Sequence, residues 1–160
     1  MLGERGLPTD SIFLDGKPVR LEKATTPRVL LYNKPVGELV TRSDPEGRAT
    51  VFAKLPPGRW VAVGRLDLNS SGLLVFTDSG ELANRLMHPR YEIQREYRAR
   101  VHGQVDLEKL RTGVSLADGP ACFDRIEADG PATGANRWYR VMLKEGRNRE
   151  VRRLFEAVGA

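Results

Sequence analysis

Asp67 has the strongest case for chemistry among the acidic residues of this sequence. It closes a strongly β-prone run, residues 59–67, and opens a tight polar connection that leads into the apolar run 73–77. A carboxylate at such a junction is held by rigid elements while its head group emerges at the sheet edge, which suits catalysis. Arg65 lies two residues earlier, and we expect it to share the strand face of Asp67. The alternative interpretation is that Asp67 only forms a turn.

A second group of candidates is a basic cluster near the C-terminal end. The cluster comprises Lys144, Arg147, Arg149, Arg152 and Arg153. Within the helix predicted for 148–159, Arg152 lies about 100° from Val151, at the border of the apolar stripe, from which it can reach a carboxylate. Such a pair keeps a nucleophilic aspartate ionised and oriented. The alternative places Arg152 on the surface over Phe155. Arg149 and Arg153 lie opposite the stripe, and we expect them to be solvated.

Tyr97 is the aromatic candidate. The alternating segment 94–102 predicts a half-exposed strand with Tyr97 on its apolar face and arginines on the other. An aromatic ring in a basic setting can stack on a nucleic-acid base, which contributes about 1–3 kcal/mol per base. The alternative is a core tyrosine whose hydroxyl is satisfied by hydrogen bonding. The basic cluster allows two interpretations as well, a phosphate-binding surface or an ordinary charged face.

Composition and motifs exclude several other functions. The net charge is +5 and the pI near 9.7, which suits a polyanionic partner without requiring one. Cys122 is the single cysteine, so an internal disulfide and a multi-cysteine zinc site are impossible. Phosphate-loop, dinucleotide-binding and GxSxG motifs are missing. With no apolar run near the roughly 18 residues of a membrane span and no secretory signal at the start, we expect a cytoplasmic monomer without a membrane partner.

The elements that must position these residues predict an α+β fold. Strands dominate and helices interrupt them irregularly, which favours a mixed, mainly antiparallel sheet flanked by a few helices. A capping box, with Asp78 as the cap and Glu81 three residues on, predicts the start of a helix. The predicted strands are 28–33, 59–67, 73–77, 94–102, 121–128 and 137–144, and the predicted helices are 78–87, 105–113 and 148–159.

Residues 1–27 are expected to be separate from the body at 28–160. The segment 11–21 predicts a hairpin around Asp15-Gly16, and 22–27 is a polar connector. A lone hairpin is marginal in water, so we expect it to pack on something else. We expect 1–27 to be associated with a further domain that precedes it, and a further segment to follow residue 160.

Three ordered motifs resemble those of pseudouridine synthases. Residues 64–82, GRLDLNSSGLLVFTDSGEL, resemble the active-site stretch of that family, residues 95–97, REY, its second motif, and residues 145–153, EGRNREVRR, its third. The resemblance covers about 28–160. Within the family the chain is similar to the branch that modifies single ribosomal RNA uridines, and the YNKPxG and DPEGR segments look closest to its large-subunit members.

The resemblance implies a reaction, a substrate and roles for these residues. The family breaks the glycosidic bond of a uridine and re-attaches the base through carbon 5, with no cofactor and no metal. Asp67 matches the catalytic aspartate, Tyr97 the tyrosine beside the target base, and Arg152 the basic residue that pairs with the aspartate. The expected partner is ribosomal RNA, with Arg65 as a structural or backbone-contacting residue and Arg42, Arg48, Arg147 and Arg149 as further RNA contacts. In relatives of this branch a small RNA-binding domain precedes the catalytic domain, so the resemblance implies that 1–27 is the tail of that domain plus a linker and that 28–160 is the catalytic domain.

A non-catalytic RNA-binding module is the main alternative. It would use the same basic loops, with Arg42, Arg48, Arg147 and Arg149 as phosphate contacts and Asp67 as a turn residue. If Asp67 lies within salt-bridge reach of Arg152 in an open cleft with Tyr97, the enzyme is favoured. A basic structural protein of the ribosome is a third interpretation, which the modest charge and the capped, periodic helices disfavour.

Overall fold

A short hairpin is the first described element of the chain. The structure, a computed structural model, describes residues 12–19, 26–131 and 134–160. Strands β1 (Ile12–Leu14) and β2 (Lys17–Val19) pair antiparallel across Asp15 and Gly16. Both turn residues have positive φ, 50° and 75°, as a type I′ turn requires. The structure thus contains the hairpin predicted from this Asp-Gly pair, whereas most of the predicted connector lies outside the described residues.

The remaining described strands form two three-stranded sheets and a second hairpin. They are β3 (Val29–Lys34), β4 (Val61–Val63), β5 (Gly72–Thr77), β6 (Arg95–His102), β7 (Val114–Leu116), β8 (Gly119–Ala121), β9 (Arg125–Ala128) and β10 (Asn136–Leu143). The sheet orders are β3-β5-β4 and β6-β10-β9, and β7 pairs with β8. Every described pair of strands is antiparallel, and one isolated bridge, Leu39 to Thr50, is parallel.

The first sheet is built around β5, whose apolar run places it in the middle. The buried side chains of Leu74 and Phe76 on β5 pack with Trp60 and with a 3-10 helix at Val51–Lys54. The connection that leaves β4 and enters β5, residues 64–71, adjoins this sheet core. Asp67 lies between those two strands.

The strand predicted for 59–67 is much shorter in the structure. Gly64 adopts a φ of 82°, which turns the chain out of the extended conformation directly after β4. Arg65 and Asp67 therefore lie in a connection rather than on a strand, and the prediction that they share a strand face is wrong. Arg65 is exposed, while Asp67 is half-buried.

The second sheet forms the larger core. Strand β10 lies between β6 and β9, and the inward faces of these strands pack on helices α2 (Leu107–Thr112) and α3 (Glu150–Glu156). Leu110 and Leu154 are fully buried there, and Phe155 packs against Phe123 and Tyr139. The α+β class predicted from the sequence is confirmed, with the strands divided between two sheets. No helix in the described ranges is long and apolar enough to cross a membrane.

Helix α1 (Gly80–Met87) begins one residue later than its predicted cap implies. Ser79 is the N-cap and its Oγ accepts a hydrogen bond from the N–H of Leu82 at 3.2 Å. Asp78 instead accepts a hydrogen bond from the backbone N–H of Arg28 at 2.9 Å, which joins the start of β3 to the end of β5. The capping box predicted with Asp78 is wrong because this carboxylate bonds to Arg28 in place of the helix.

Candidate active site

The carboxylate of Asp67 lies against two arginine side chains of the C-terminal segment. Arg152 Nε donates a hydrogen bond to Asp67 Oδ2 at 3.1 Å, and Arg149 Nη1 lies 3.6 Å from the same oxygen. The Asp67 side chain is 38% exposed and that of Arg152 is 40% exposed, so the pair is open to solvent. Among the described residues none donates a hydrogen bond to Oδ1. One carboxylate oxygen is thus held and the other is available to a ligand.

The sequence predicted the reach of Arg152 towards a carboxylate from its place on the helix. The structure brings Arg152 to Asp67 and also places its Nη2 3.5 Å from Ser70 Oγ. Phe155, which the alternative placed under Arg152, is 5% exposed and packs into the second core. The alternative of a surface cation over Phe155 is therefore wrong. The catalytic role of the pair remains a prediction.

A tight turn presents Asp67 to this pair. Its carbonyl accepts a hydrogen bond from Ser70 N–H at 3.0 Å, and the carbonyl of Leu68 accepts one from Gly37 N–H at 2.8 Å. Gly72, with a φ of 134°, then lets the chain enter β5. Backbone hydrogen bonds thus fix the turn from within and tie it to the end of β3. The support of the carboxylate is therefore this hydrogen-bonded turn and not, as the sequence predicted, the end of a strand, because β4 ends at Val63.

Lys34 contacts the same turn, and the sequence analysis did not predict this role. It is the last residue of β3 and is fully buried. Its Nζ donates hydrogen bonds to the carbonyls of Ser70 at 2.7 Å and Pro35 at 2.9 Å. Burial lowers the pKa of Lys34, and the charges of Glu38 and Asp67 oppose that shift. A lysine next to a proline at the end of an apolar strand was the available signal, but burial is not visible in a single sequence.

Glu38 is a buried acid in the region around Lys34. Glu38 is 4% exposed and accepts hydrogen bonds from Lys54 and from Tyr32 Oη, the latter at 2.6 Å. The hydrogen bonds from Lys54 and then Tyr32 lower the pKa of Glu38. Burial, followed by the hydrogen bond to Glu38, raises the pKa of Tyr32 to about 12. This carboxylate is committed to protein partners, which leaves Asp67 as the open acid of the region.

Tyr97 lies on β6, opposite Val141 of the neighbouring strand β10. It is half-buried and packs against the second core, so the prediction of an inward-facing strand position is met. Burial raises the pKa of Tyr97, the positive charge of Arg95 lowers it, and the negative charge of Glu150 raises it. Glu150, the first residue of α3, is thus one of the charges that act on the Tyr97 hydroxyl.

Arg95, the first residue of the REY motif, donates hydrogen bonds to backbone carbonyls of other elements. Its guanidinium donates to the carbonyls of Leu86 and Met87, at 3.1 and 3.3 Å, at the C-terminal end of α1. The same group donates to the carbonyl of Lys144 at 3.1 Å, just after β10. One arginine thus satisfies helix-end carbonyls and joins α1 to the second sheet.

The arginines predicted to contact RNA fall into two groups. Arg42 donates to the carbonyl of Trp60 with its guanidinium 4.7 Å from the centre of the Phe52 ring, and Arg48 forms a bidentate pair with Asp44 at 2.7 and 3.0 Å. Both remain exposed.

The other predicted contacts lie nearer to Asp67. Arg65 is exposed in the connection before Asp67, and the Arg149 side chain, 49% exposed, reaches the Asp67 carboxylate itself. Arg147 is only 24% exposed and bonds to Glu145 and to the carbonyl of Pro120. Of the predicted set, Arg65 and Arg149 therefore combine exposure with a position beside the candidate active site.

Arg153 is not solvated as predicted. Its two terminal nitrogens bond to the two carboxylate oxygens of Asp118 at 2.7 and 2.9 Å, and its side chain is 25% exposed. Asp118 lies between β7 and β8, a hairpin that the sequence did not predict. In the parts of the chain that the structure describes, no three His, Cys, Asp or Glu side chains are grouped as a metal site requires.

A comparison with known protein families shows which family this chain belongs to. Residues 28–157 match the family described as RNA pseudouridylate synthase. The match covers most of the chain and contains the Asp67 turn, β6 with Tyr97 and helix α3 with Arg152. This chain belongs to the RNA pseudouridylate synthase family, as the three sequence motifs predicted.

Curated relatives give a finer comparison. The chain is 54% identical to the ribosomal large subunit pseudouridine synthase B of Pseudomonas aeruginosa, over 99% of this chain and 43% of that protein. It is 57% identical to the protein of the same name from Yersinia pestis, over 99% of this chain and 52% of that protein. For Escherichia coli strain K12 the identity is 58%, over 95% of this chain and 55% of that protein. The chain thus spans about half the length of the curated relatives it matches.

A solved structure supports the fold. A crystal structure of a pseudouridylate synthase superposes with a TM-score of 0.69 at 20% identity, covering 97% of this chain and 66% of that one. The likeness at this identity concerns the fold alone. It shows that the two sheets and three helices described above are the arrangement of a pseudouridylate synthase.

Proposed function

We propose that this chain converts a uridine of ribosomal RNA, in the large subunit, to pseudouridine, with Asp67 as the catalytic carboxylate. The observation that carries the proposal is the solvent-open Asp67, held by Arg152 at 3.1 Å on one oxygen. Membership of the pseudouridylate synthase family gives the reaction class. The names of relatives that are 54–58% identical give the substrate class, large-subunit ribosomal RNA.

The reaction is an isomerisation in which no atom is gained or lost overall. The bond between the sugar carbon C1′ and base nitrogen N1 breaks, and a bond from C1′ to base carbon C5 forms. The proton on C5 leaves and N1 takes up a proton. Asp67 is proposed to act on the nucleotide, and the open Oδ1 beside the held Oδ2 supports this choice. The step that it performs, attack on sugar or base or removal of a sugar proton, is left open in this proposal.

Tyr97 and the two arginines complete the proposed site. Arg152 and Arg149 orient the carboxylate and provide positive charge beside it. Tyr97 lies on β6 of the other three-stranded sheet and is proposed to pack against the target base. Its pKa is raised by burial, which keeps the hydroxyl protonated at neutral pH, so any help in removing the C5 proton would pass through the neutral phenol.

RNA binding must supply the free energy to unstack the target uridine, a cost of a few kcal/mol. Phosphate contacts release counterions, so we expect affinity to fall steeply with salt. Arg65 and Arg149 are exposed beside Asp67 and are proposed as the nearest contacts. Arg42, Arg48 and Arg147 already have protein partners, so a phosphate would compete with those partners. The protein is proposed to act as a cytoplasmic monomer.

The test is Asp67→Asn on ribosomal RNA labelled with tritium at carbon 5 of uridine. We expect the variant to bind RNA within about twofold of the original chain and to release no tritium above background. Asp124→Asn is the matched control. Asp124 is an exposed aspartate between β8 and β9, so this variant should release tritium normally. Normal turnover by Asp67→Asn would overturn the assignment. Binding without tritium release by the unmodified chain would favour the non-catalytic RNA-binding module.

A further inference from the structure

The loop that carries Arg149 adopts a conformation that needs external support. It runs from residue 144, after β10, to residue 149, before α3. Arg149 has φ 50° and ψ 29°, the left-handed region that residues with a Cβ rarely adopt. Such a conformation persists only where surrounding contacts over-determine it. Here it directs the Arg149 side chain to within 3.6 Å of Asp67.

A buried acid supplies the nearest contacts. Glu150 is 3% exposed, and its Oε2 accepts a hydrogen bond from the backbone N–H of Arg147 at 2.9 Å. The N–H of Glu150 donates in return to the carbonyl of Arg147 at 3.2 Å. These two bonds close the turn of residues 147–150 on both sides. Arg149, inside that turn, can leave its left-handed conformation only if the turn opens.

The side chain of Arg147 anchors this closed turn to the second hairpin. Its Nη2 donates to the carbonyl of Pro120 on β8 at 2.8 Å and to Glu145 Oε1 at 2.6 Å. Its Nε lies 3.5 Å from Glu150 Oε1, and its Nη1 lies 3.6 Å from Asp118. The Arg147 side chain thus links the two ends of the loop, Glu145 and Glu150, and joins the loop to β8.

We propose that Glu150 is a positioning residue of the active site. It holds the loop of residues 144–149 through Arg147, so that the Arg149 side chain reaches Asp67. The inference rests on the proposed function for its effect on turnover. Among the described residues Glu150 has no hydrogen bond or ion pair with Asp67, and its Oε2 accepts the Arg147 N–H. Burial and the neighbouring Glu145 raise the pKa of Glu150, while the Arg147 N–H and guanidinium lower it. A neutral side-chain oxygen at this position can still accept the Arg147 N–H. Glutamine should therefore substitute for it.

The first experiment compares Glu150→Ala with Glu150→Gln by hydrogen exchange in the 145–150 segment. The alanine variant should speed exchange of the Arg147 amide at least about tenfold, since its acceptor is lost. Glu150→Gln should keep that amide protected, and Glu156→Gln, an exposed glutamate of the same helix, should change nothing. Thermal unfolding shows whether the alanine variant still folds. Unchanged Arg147 exchange in Glu150→Ala, or equal loss of protection in Glu150→Gln, would overturn the proposal.

The second experiment is a double-mutant cycle on tritium release with Glu150→Ala and Arg149→Ala. We expect each single change to lower kcat by about tenfold with little change in KM, and the double variant to be no slower than Arg149→Ala. Glu150→Gln should recover most of the loss. Additive effects of the two alanine changes would mean that Glu150 does not act through Arg149. If the unmodified chain releases no tritium, the proposed function fails, and the exchange experiment alone decides the positioning role.

Discussion

Arg152 and Arg149 reach Asp67 from two different backbone conformations, one on a helix and one in a left-handed loop residue. The contact made by Arg152 was a candidate from the sequence, because helical periodicity fixes the direction of a side chain at the border of an apolar stripe. The loop contact was not, since the left-handed conformation of a non-glycine residue depends on tertiary contacts such as those of Glu150. Sequence patterns therefore named Asp67 and Arg152 as candidates, each with an alternative, and the family resemblance paired them, while Arg149 was expected in solvent.

Lys34 offers a test of the support beneath Asp67. Lys34→Met keeps a long side chain but leaves the half-buried carbonyl of Ser70 and the more exposed carbonyl of Pro35 without this donor. An unpaired buried group costs about 1–3 kcal/mol and a solvent-accessible one less, so we expect the free energy of unfolding to fall by about 1–3 kcal/mol. Urea denaturation measures this change. Lys109→Met, at a lysine whose side chain is 69% exposed, is the control and should alter stability by less than about 0.5 kcal/mol. An equal effect in both variants would contradict the supporting role.

At the scale of elements, Arg95 joins α1 to the second sheet. Arg95→Ala removes the donors of the Leu86, Met87 and Lys144 carbonyls. We expect a loss of about 2–3 kcal/mol in the free energy of unfolding and faster amide exchange in α1. Arg85→Ala, at an exposed arginine of the same helix, should cost about 0.5 kcal/mol because it loses only its pair with Glu81. Unchanged α1 exchange in Arg95→Ala would show that this link is not structural.

Most elements followed from local patterns, and the exceptions have identifiable physical causes. The apolar run of β5 and the alternation of β6 predicted a central and a half-exposed strand. Strand β4 is shorter than predicted because Gly64 turns the chain. The β7–β8 hairpin is stabilised by tertiary ion pairs at Asp118, which link residues 35 positions apart. No short-range pattern contains that information.

The whole molecule should lose stability in acid. Glu38, Asp44, Asp118 and Glu145 have pKa values lowered by hydrogen bonds from lysine or arginine, that of Asp44 to about 2. A carboxyl whose pKa is depressed on folding stabilises the protein above its unfolded pKa of about 4, and that contribution is lost as pH falls through the folded pKa. Glu150 opposes this trend, since its pKa is raised.

The measurement is the melting temperature as a function of pH from 6 to 2. We expect a steady decline that begins as pH falls below about 4.5. Asp118→Asn should have a lower melting temperature near pH 6 and a shallower decline, because its pairing with Arg153 is already lost. A melting temperature that rises as pH falls from 4.5 to 2 would contradict this assignment of charges.

We propose that this chain forms pseudouridine in large-subunit ribosomal RNA through Asp67. The most direct measurement treats unmodified large- and small-subunit RNA with the chain and with Asp67→Asn, and maps pseudouridine by carbodiimide labelling and primer extension. We expect primer extension to stop at a discrete new position in large-subunit RNA treated with the unmodified chain. We expect no new stop in small-subunit RNA and none in either RNA with Asp67→Asn. The same stop with Asp67→Asn, or no stop with the unmodified chain, would contradict this proposal.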